Sequence, residues 1–292
     1  MPPAIHIGPD APPHLVRAIE AGGGRVAGLD EADAVVWAGR ETSFPALPSR
    51  VRWVQLHSAG VEPWLERIRA LPGVRFTSAA GAYAPQVAEH ALMLLLAGVR
   101  GLERYARAAT WAPRDSGTLA GATVAVVGAG GIGRELIRRL EPHGAEILAV
   151  TRSGRDGTLP ASRLPEIWDR ADHVVLCAPA TAGTRHLVGA AELARMRPHA
   201  WLVNVARGSL IDTGALVEAL RERRIGGAAL DVTDPEPLPD GHPLWGLALI
   251  TPHVANPPSA MGHSLAAHVR ENVRRFAAGE PLLAPIDPDA GY

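Results

Sequence analysis

The sequence predicts an α/β fold with parallel sheets built from βαβ units and divided between two Rossmann-like domains. Three observations carry that expectation. Short apolar runs alternate with helical patterns along the whole chain, as strands linked by crossover helices do. A glycine-rich turn at 128–133 stands between one such run and a helical stretch. The 292 residues also exceed a domain of about 100–200 residues, leaving room for two cores.

In the first third, strands are expected at 4–7, 34–37, 52–56 and 74–77, with helices at 13–21 and 63–70. A long helix is expected over 85–105. The stretch 111–119, with Pro113 and Gly117, reads as an irregular linker. A second series opens at 123–127 and continues with strands at 146–150, 173–177, 201–205, 227–230 and 249–250. Pro257-Pro258 interrupts the chain before a final helix over 261–278.

Composition narrows the chemistry. A formal net charge of −1 offers no electrostatic capture of nucleic acid or of an anionic membrane. All 29 basic residues are arginine, so a Schiff base, a pyridoxal-phosphate anchor and a P-loop lysine have no residue to run on. The single cysteine, Cys177, excludes an internal disulfide and a Cys-cluster zinc site, and no metal is expected. The amino terminus has no basic region followed by an apolar core. The longest apolar stretch, 91–99, is about half of the roughly 20 residues that a membrane span needs. With the lone thiol, this points to a cytoplasmic setting.

Gly128-Ala129-Gly130-Gly131-Ile132-Gly133 fits G-x-G-x-x-G, directly after the apolar run 123–127 and before a helix expected at 134–140. In that context Gly128 permits the tight turn, Gly130 lets the backbone approach a pyrophosphate, and Gly133 lets the helix pack on the sheet. The helix N–H groups then face the phosphate charge. About 20 residues further on, a carboxylate usually reads the adenosine ribose of NAD. Here the strand runs into Thr151-Arg152-Ser153-Gly154-Arg155, with no acid before Asp156. An arginine and a serine suit a 2′-phosphate, so NADP(H) is favoured over NAD(H).

In an open parallel sheet, chemistry collects beyond the carboxyl ends of the strands. Three successive strands deliver Arg207, then Asp231 with Glu236 close behind, then His253. Arginine can hold a carboxylate and polarise a neighbouring carbonyl through its planar fork. Histidine can give a proton to a developing alkoxide, and a nearby glutamate favours the imidazolium form that does so. Ordinary roles compete at each position: Arg207 at a helix end, Glu236 as a solvated loop charge, His253 as a structural histidine. His14, His90, His143 and His199 read as plain helix or loop positions.

At these residues the chain resembles the D-isomer-specific 2-hydroxyacid dehydrogenases over nearly its whole length. The motifs are 128–133, Asn204-Val205-Ala206-Arg207-Gly208, Ala229-Leu230-Asp231-Val232 with Glu236-Pro237, and Thr251-Pro252-His253-Val254-Ala255. Ser58-Ala59-Gly60-Val61, Val87-Ala88-Glu89-His90 and His242-Pro243-Leu244-Trp245 are similar to the family as well. The resemblance implies a nucleotide-binding domain (98–261) inserted in a flavodoxin-like substrate domain (1–97 and 262–292), in a homodimer. It implies Arg207, Glu236 and His253 as the catalytic trio, and Asp231 on the nicotinamide amide beside the backbone of Val205 and Ala206. It also implies Gly131, Ile132, Arg152, Ser153, Ala178 and Pro179 on the phosphates and ribose. The backbone of Ala59, Gly60 and Val61 would meet the substrate carboxylate, together with Arg207.

The chain departs from the family pattern in four places. Gly131 replaces the usual arginine of the glycine motif, and Thr151-Arg152 replaces the second-strand acid. Asn256 stands where a glycine commonly follows, and Tyr83-Ala84-Pro85-Gln86 is unusual before Val87. The expected activity is reduction of glyoxylate, hydroxypyruvate or a similar 2-oxo acid. The competing reading is a non-catalytic dinucleotide sensor on the same fold. A formate-type dehydrogenase is disfavoured, because that branch pairs its histidine with glutamine and Glu236 stands here.

Overall fold

A computed structural model describes residues 1–292, and the chain divides into two compact units, 1–83 with 257–292 and 84–256. The first unit contains β1 (Ala4–Gly8), β2 (Arg25–Val26), β3 (Ala34–Trp37), β4 (Trp53–Leu56) and β5 (Arg75–Thr77), all parallel, in the order β2-β1-β3-β4-β5. That is the flavodoxin-like order. β3 and β4 are buried at every residue, as strands covered on both faces must be.

The last helix, Pro258–Ala278, belongs to this unit and packs on the helix Pro13–Ala21. A buried polar network fixes it to the sheet. Gln55 Oε1 accepts from Asn272 Nδ2 at 2.7 Å and from Thr77 Oγ1 at 2.9 Å, while the Trp53 indole donates to Thr77 at 2.8 Å. Each member is satisfied, so the network specifies register without leaving an orphaned polar group.

The second unit contains β6 (Thr123–Val127), β7 (Glu146–Thr151), β8 (Leu159–Pro160), β9 (His173–Leu176), β10 (Trp201–Asn204), β11 (Gly227–Leu230) and β12 (Leu249–Ile250). They form one parallel sheet ordered β12-β11-β10-β9-β6-β7-β8. The order reverses between β6 and β9, the switch point where α/β sheets open a crevice for a ligand. The helix Gly131–Leu140 returns from β6 and buries Leu136 and Leu140 completely, which aims its amino end at the carboxyl edge of the sheet.

Several expectations need correction. The boundaries fall at 83/84 and 256/257, not at 97/98 and 261/262. The helix Ala84–Val99 packs on the helix Gly131–Leu140 and on β10 and β11, so it goes with the second unit. The long helix expected over 85–105 stops at Val99. Gly101, at φ +63, turns the chain before the short helix Leu102–Ala106. The helix after the glycine motif starts inside it, at Gly131. The last helix starts at Pro258, where a proline at the first position suits a helix N-terminus. The two-residue strands β2 and β8 were not expected. No helix is long and apolar enough to cross a membrane.

At the amino ends of the second sheet, His173 is 4% exposed and its Nδ1 accepts the Trp201 N–H at 3.2 Å. Burial pushes this imidazole down to about 4 from 6.5. The unfolded chain therefore takes up the proton first as pH falls, and stability declines from pH 6.5 down to about pH 4. The loss totals about 3 kcal/mol. Urea denaturation across that range measures it, and His173→Gln flattens this part of the profile.

Candidate active site

The glycine turn is built as a cradle. Gly128 sits at φ +101, and a Cβ there would lie 2.4 Å from the Ala178 nitrogen. A Cβ at Gly133 would lie 2.3 Å from the Gly128 carbonyl oxygen. Packing alone thus demands glycine at both positions. Gly130 differs, since a Cβ there meets nothing within 4 Å, and it immediately precedes the helix Gly131–Leu140. Bare backbone beside open space, at a helix end whose first N–H groups lack intrahelical partners, fits a pyrophosphate. Gly131 is exposed and Ile132 half-buried beside it. Ala178 is buried and Pro179 exposed, just past the end of β9.

Beyond β7 the chain turns through 151–158, tied by Thr151 Oγ1 to Thr158 Oγ1 at 2.7 Å and to the Gly154 N–H at 3.0 Å. Arg152 and Ser153 lie exposed on this turn. Asp156, its one carboxylate, is ion-paired with Arg134 at 3.0 Å.

β10, β11 and β12 bring the predicted acid–base residues to the carboxyl edge of the same sheet. His253 Nδ1 lies 2.6 Å from Glu236 Oε1. The Arg207-Gly208 turn seats directly against the segment carrying Glu236, because a Cβ on Gly208 would fall 2.0 Å from the Thr233 carbonyl. Asn204, fully buried, fixes that turn by donating to the Arg207 carbonyl at 2.8 Å and accepting the Ala206 N–H at 3.0 Å. Arg207 Nη1 also donates to the Ala206 carbonyl at 2.7 Å. Glu236 and His253 border a cavity of about 260 Å³, with Asp231, Thr233, Leu238 and Trp245 among its walls. A larger cavity, of about 530 Å³, opens at the amino ends of the strands and holds none of the predicted residues.

Asp231 is buried, and its carboxylate serves its own chain. Oδ1 accepts from Thr251 Oγ1 at 2.6 Å and the Val254 N–H at 2.9 Å, and Oδ2 accepts the Ala255 N–H at 3.1 Å. Burial pushes this carboxyl up, but hydrogen bonds from His90, Thr251, Val254 and Ala255 outweigh it and hold the group below the usual carboxylate range. The carboxylate knots the loop that carries His253. His90 completes the knot, a role its place in a helical pattern does not announce. The available signal was a titratable residue among Val87, Ala88, Ala91 and Leu94, which are buried.

In the first unit, Ala59 is exposed, Gly60 half-buried and Val61 buried, just beyond the carboxyl end of β4. Tyr83 is held nearby by its hydroxyl, which donates to the His57 carbonyl at 2.6 Å. Its burial pushes the phenol up to about 12, so it stays protonated.

A glycine cradle at a switch point, with an imidazole–carboxylate pair at the same edge, defines an α/β dinucleotide-dependent enzyme. Residues 90–255 match the family model described as D-isomer specific 2-hydroxyacid dehydrogenase, NAD binding domain. The chain is 39% identical over 298 residues to an uncharacterised protein of Corynebacterium melassecola, covering 96% of this chain and 98% of that one. It is 31% identical over 253 residues to a glyoxylate reductase of Korarchaeum cryptofilum, covering 81% and 76% respectively. A D-isomer specific 2-hydroxyacid dehydrogenase from Xanthobacter autotrophicus Py2, solved with NADPH and MES, superposes with a TM-score of 0.87. Its identity is 30%, and all of both chains is covered. The chain belongs to the D-isomer-specific 2-hydroxyacid dehydrogenase family and is an oxidoreductase of that class.

Proposed function

We propose that the protein reduces small 2-oxo acids of the glyoxylate or hydroxypyruvate type to D-2-hydroxy acids, with NADPH preferred to NADH. The observation that carries this reading is the 2.6 Å contact between His253 Nδ1 and Glu236 Oε1. With Nδ1 committed to the carboxylate, Nε2 is the nitrogen that exchanges a proton with substrate. A reduced nicotinamide, when bound, supplies the hydride to the carbonyl carbon. His253 gives its Nε2 proton to the carbonyl oxygen as the alkoxide develops and takes it back in the oxidative direction. Glu236 orients the ring through the contact to Nδ1. Arg207 holds the carboxylate and polarises the carbonyl beside it. Val205 and Ala206 supply backbone along the nicotinamide, and Asp231 fixes the loop next to it. Ala59, Gly60 and Val61 remain the segment that the resemblance assigns to the substrate carboxylate.

The preference for NADPH rests on the turn after β7. Arg152 and Ser153 offer donors there, and Asp156, the one acid that would repel a 2′-phosphate, is neutralised by Arg134. The Xanthobacter relative bound NADPH, which agrees. A homodimer belongs to the same proposal. It is supported by Trp111, 98% exposed, and by Leu102 and Tyr105, both exposed close by in sequence. Sedimentation at the mass of one 30.7 kDa chain would overturn the dimer.

The test is an assay of purified protein that crosses a panel of 2-oxo acids with NADPH and NADH. Turnover on a short 2-oxo acid is expected. Tight NADPH binding without turnover on any of them would favour a dinucleotide sensor. Equal affinity for both cofactors, unmoved by Arg152→Ala, would remove the 2′-phosphate argument.

A further inference from the structure

We propose that His90, on the helix Ala84–Val99, is a positioning residue for the loop that presents His253, acting through Thr251 and the Asp231 carboxylate. The proposal rests on the reading of His253 as the acid/base.

His253 has φ +54, a left-handed conformation uncommon for residues other than glycine. Something must hold it there. Three consecutive amides end on one residue: the His253 N–H on the Asp231 carbonyl at 2.8 Å, the Val254 N–H on Oδ1 and the Ala255 N–H on Oδ2. The geometry of the loop therefore depends on where that carboxylate sits. Thr251 donates its one proton to Oδ1, so the threonine oxygen can only accept from His90 Nε2, 2.9 Å away. That assigns the proton of His90 to Nε2. The same nitrogen stands 3.3 Å from Asp231 Oδ1.

The result is a directed chain of hydrogen bonds from His90 to Thr251 to the Asp231 carboxylate, ending on the amides of Val254 and Ala255. Its first member comes from a different element than β11 and β12, so it ties the loop to a helix otherwise packed through alanine, valine and leucine. The His90 side chain is 14% exposed. An apolar residue would pack there as well, and the hydrogen bond is what a histidine adds.

The test reads amide hydrogen exchange in residues 251–256 alongside steady-state kinetics for the full-length protein. In His90→Leu, exchange at Val254 and Ala255 should rise about tenfold, and kcat should fall by a similar factor. The KM for NADPH should stay within about twofold, since the glycine turn is untouched. His90→Gln, which keeps a donor, should recover most of both losses. Thr251→Val should reproduce the effect, and combining it with His90→Leu should add little, because both lie on one chain of bonds. Unchanged exchange in 251–256, exchange that rises evenly over residues 84–256, or losses that multiply in the double variant would overturn the proposal. Exchange needs no substrate. A wild-type protein inactive on every 2-oxo acid would sink the functional reading, whereas an unresponsive loop would sink this one.

Discussion

His253→Ala is expected to lower kcat/KM for 2-oxo-acid reduction by about a thousandfold while the NADPH dissociation constant stays within about twofold. The split follows from where the parts lie. The proposed acid–base pair follows β11 and β12, whereas the proposed cradle for the cofactor is the turn after β6. Glu236→Gln keeps a hydrogen-bond acceptor for Nδ1 but removes the negative charge beside the ring. It should cost about ten- to a hundredfold in kcat. Arg207→Lys should resemble Arg207→Ala more than wild type, since a point charge cannot replace a bidentate fork. Stopped-flow turnover and fluorescence titration of NADPH measure the two quantities separately. A His253→Ala protein that keeps its turnover would end the acid–base assignment.

Gly130→Val should weaken NADPH binding by at least about a hundredfold and lower the melting temperature less than valine at Gly128 or Gly133 does. A Cβ at Gly130 meets no heavy atom within 4 Å, so the added side chain intrudes first on the space a pyrophosphate would fill. Gly128→Val and Gly133→Val should behave differently. Their added carbons collide with the Ala178 nitrogen and the Gly128 carbonyl, so destabilisation of about 2–4 kcal/mol should accompany any loss of binding. Thermal melts of the three variants, with and without NADPH, separate the cases. Equal destabilisation of all three would mean that Gly130 does not border open space.

Strands buried on both faces are easy to read in the sequence, because a run such as 124–127 or 34–37 leaves no polar residue to disguise it. β2 and β8 were not legible: two residues show no period, and they form because a neighbouring strand offers an open edge. The helix over 85–105 was overextended because Leu102 and Tyr105 continue the apolar spacing, while Gly101 breaks the backbone without altering that pattern. Glu236 and His253 could be paired in advance, since topology brings strand ends to one edge. His90 could not, because helical spacing says which residues share a face but not which strand ends that face will meet.

The order of the second sheet has a bearing on redesign. On the proposed reading, the phosphates and adenosine ribose would be gripped by the turns after β6, β7 and β9, while the proton would pass through groups that follow β11 and β12. Coenzyme choice and reaction chemistry are thus written on separate stretches of one scaffold. A library confined to 152–156 and Arg134 can explore new coenzymes without disturbing the groups that move the proton, so the two traits can be evolved one at a time.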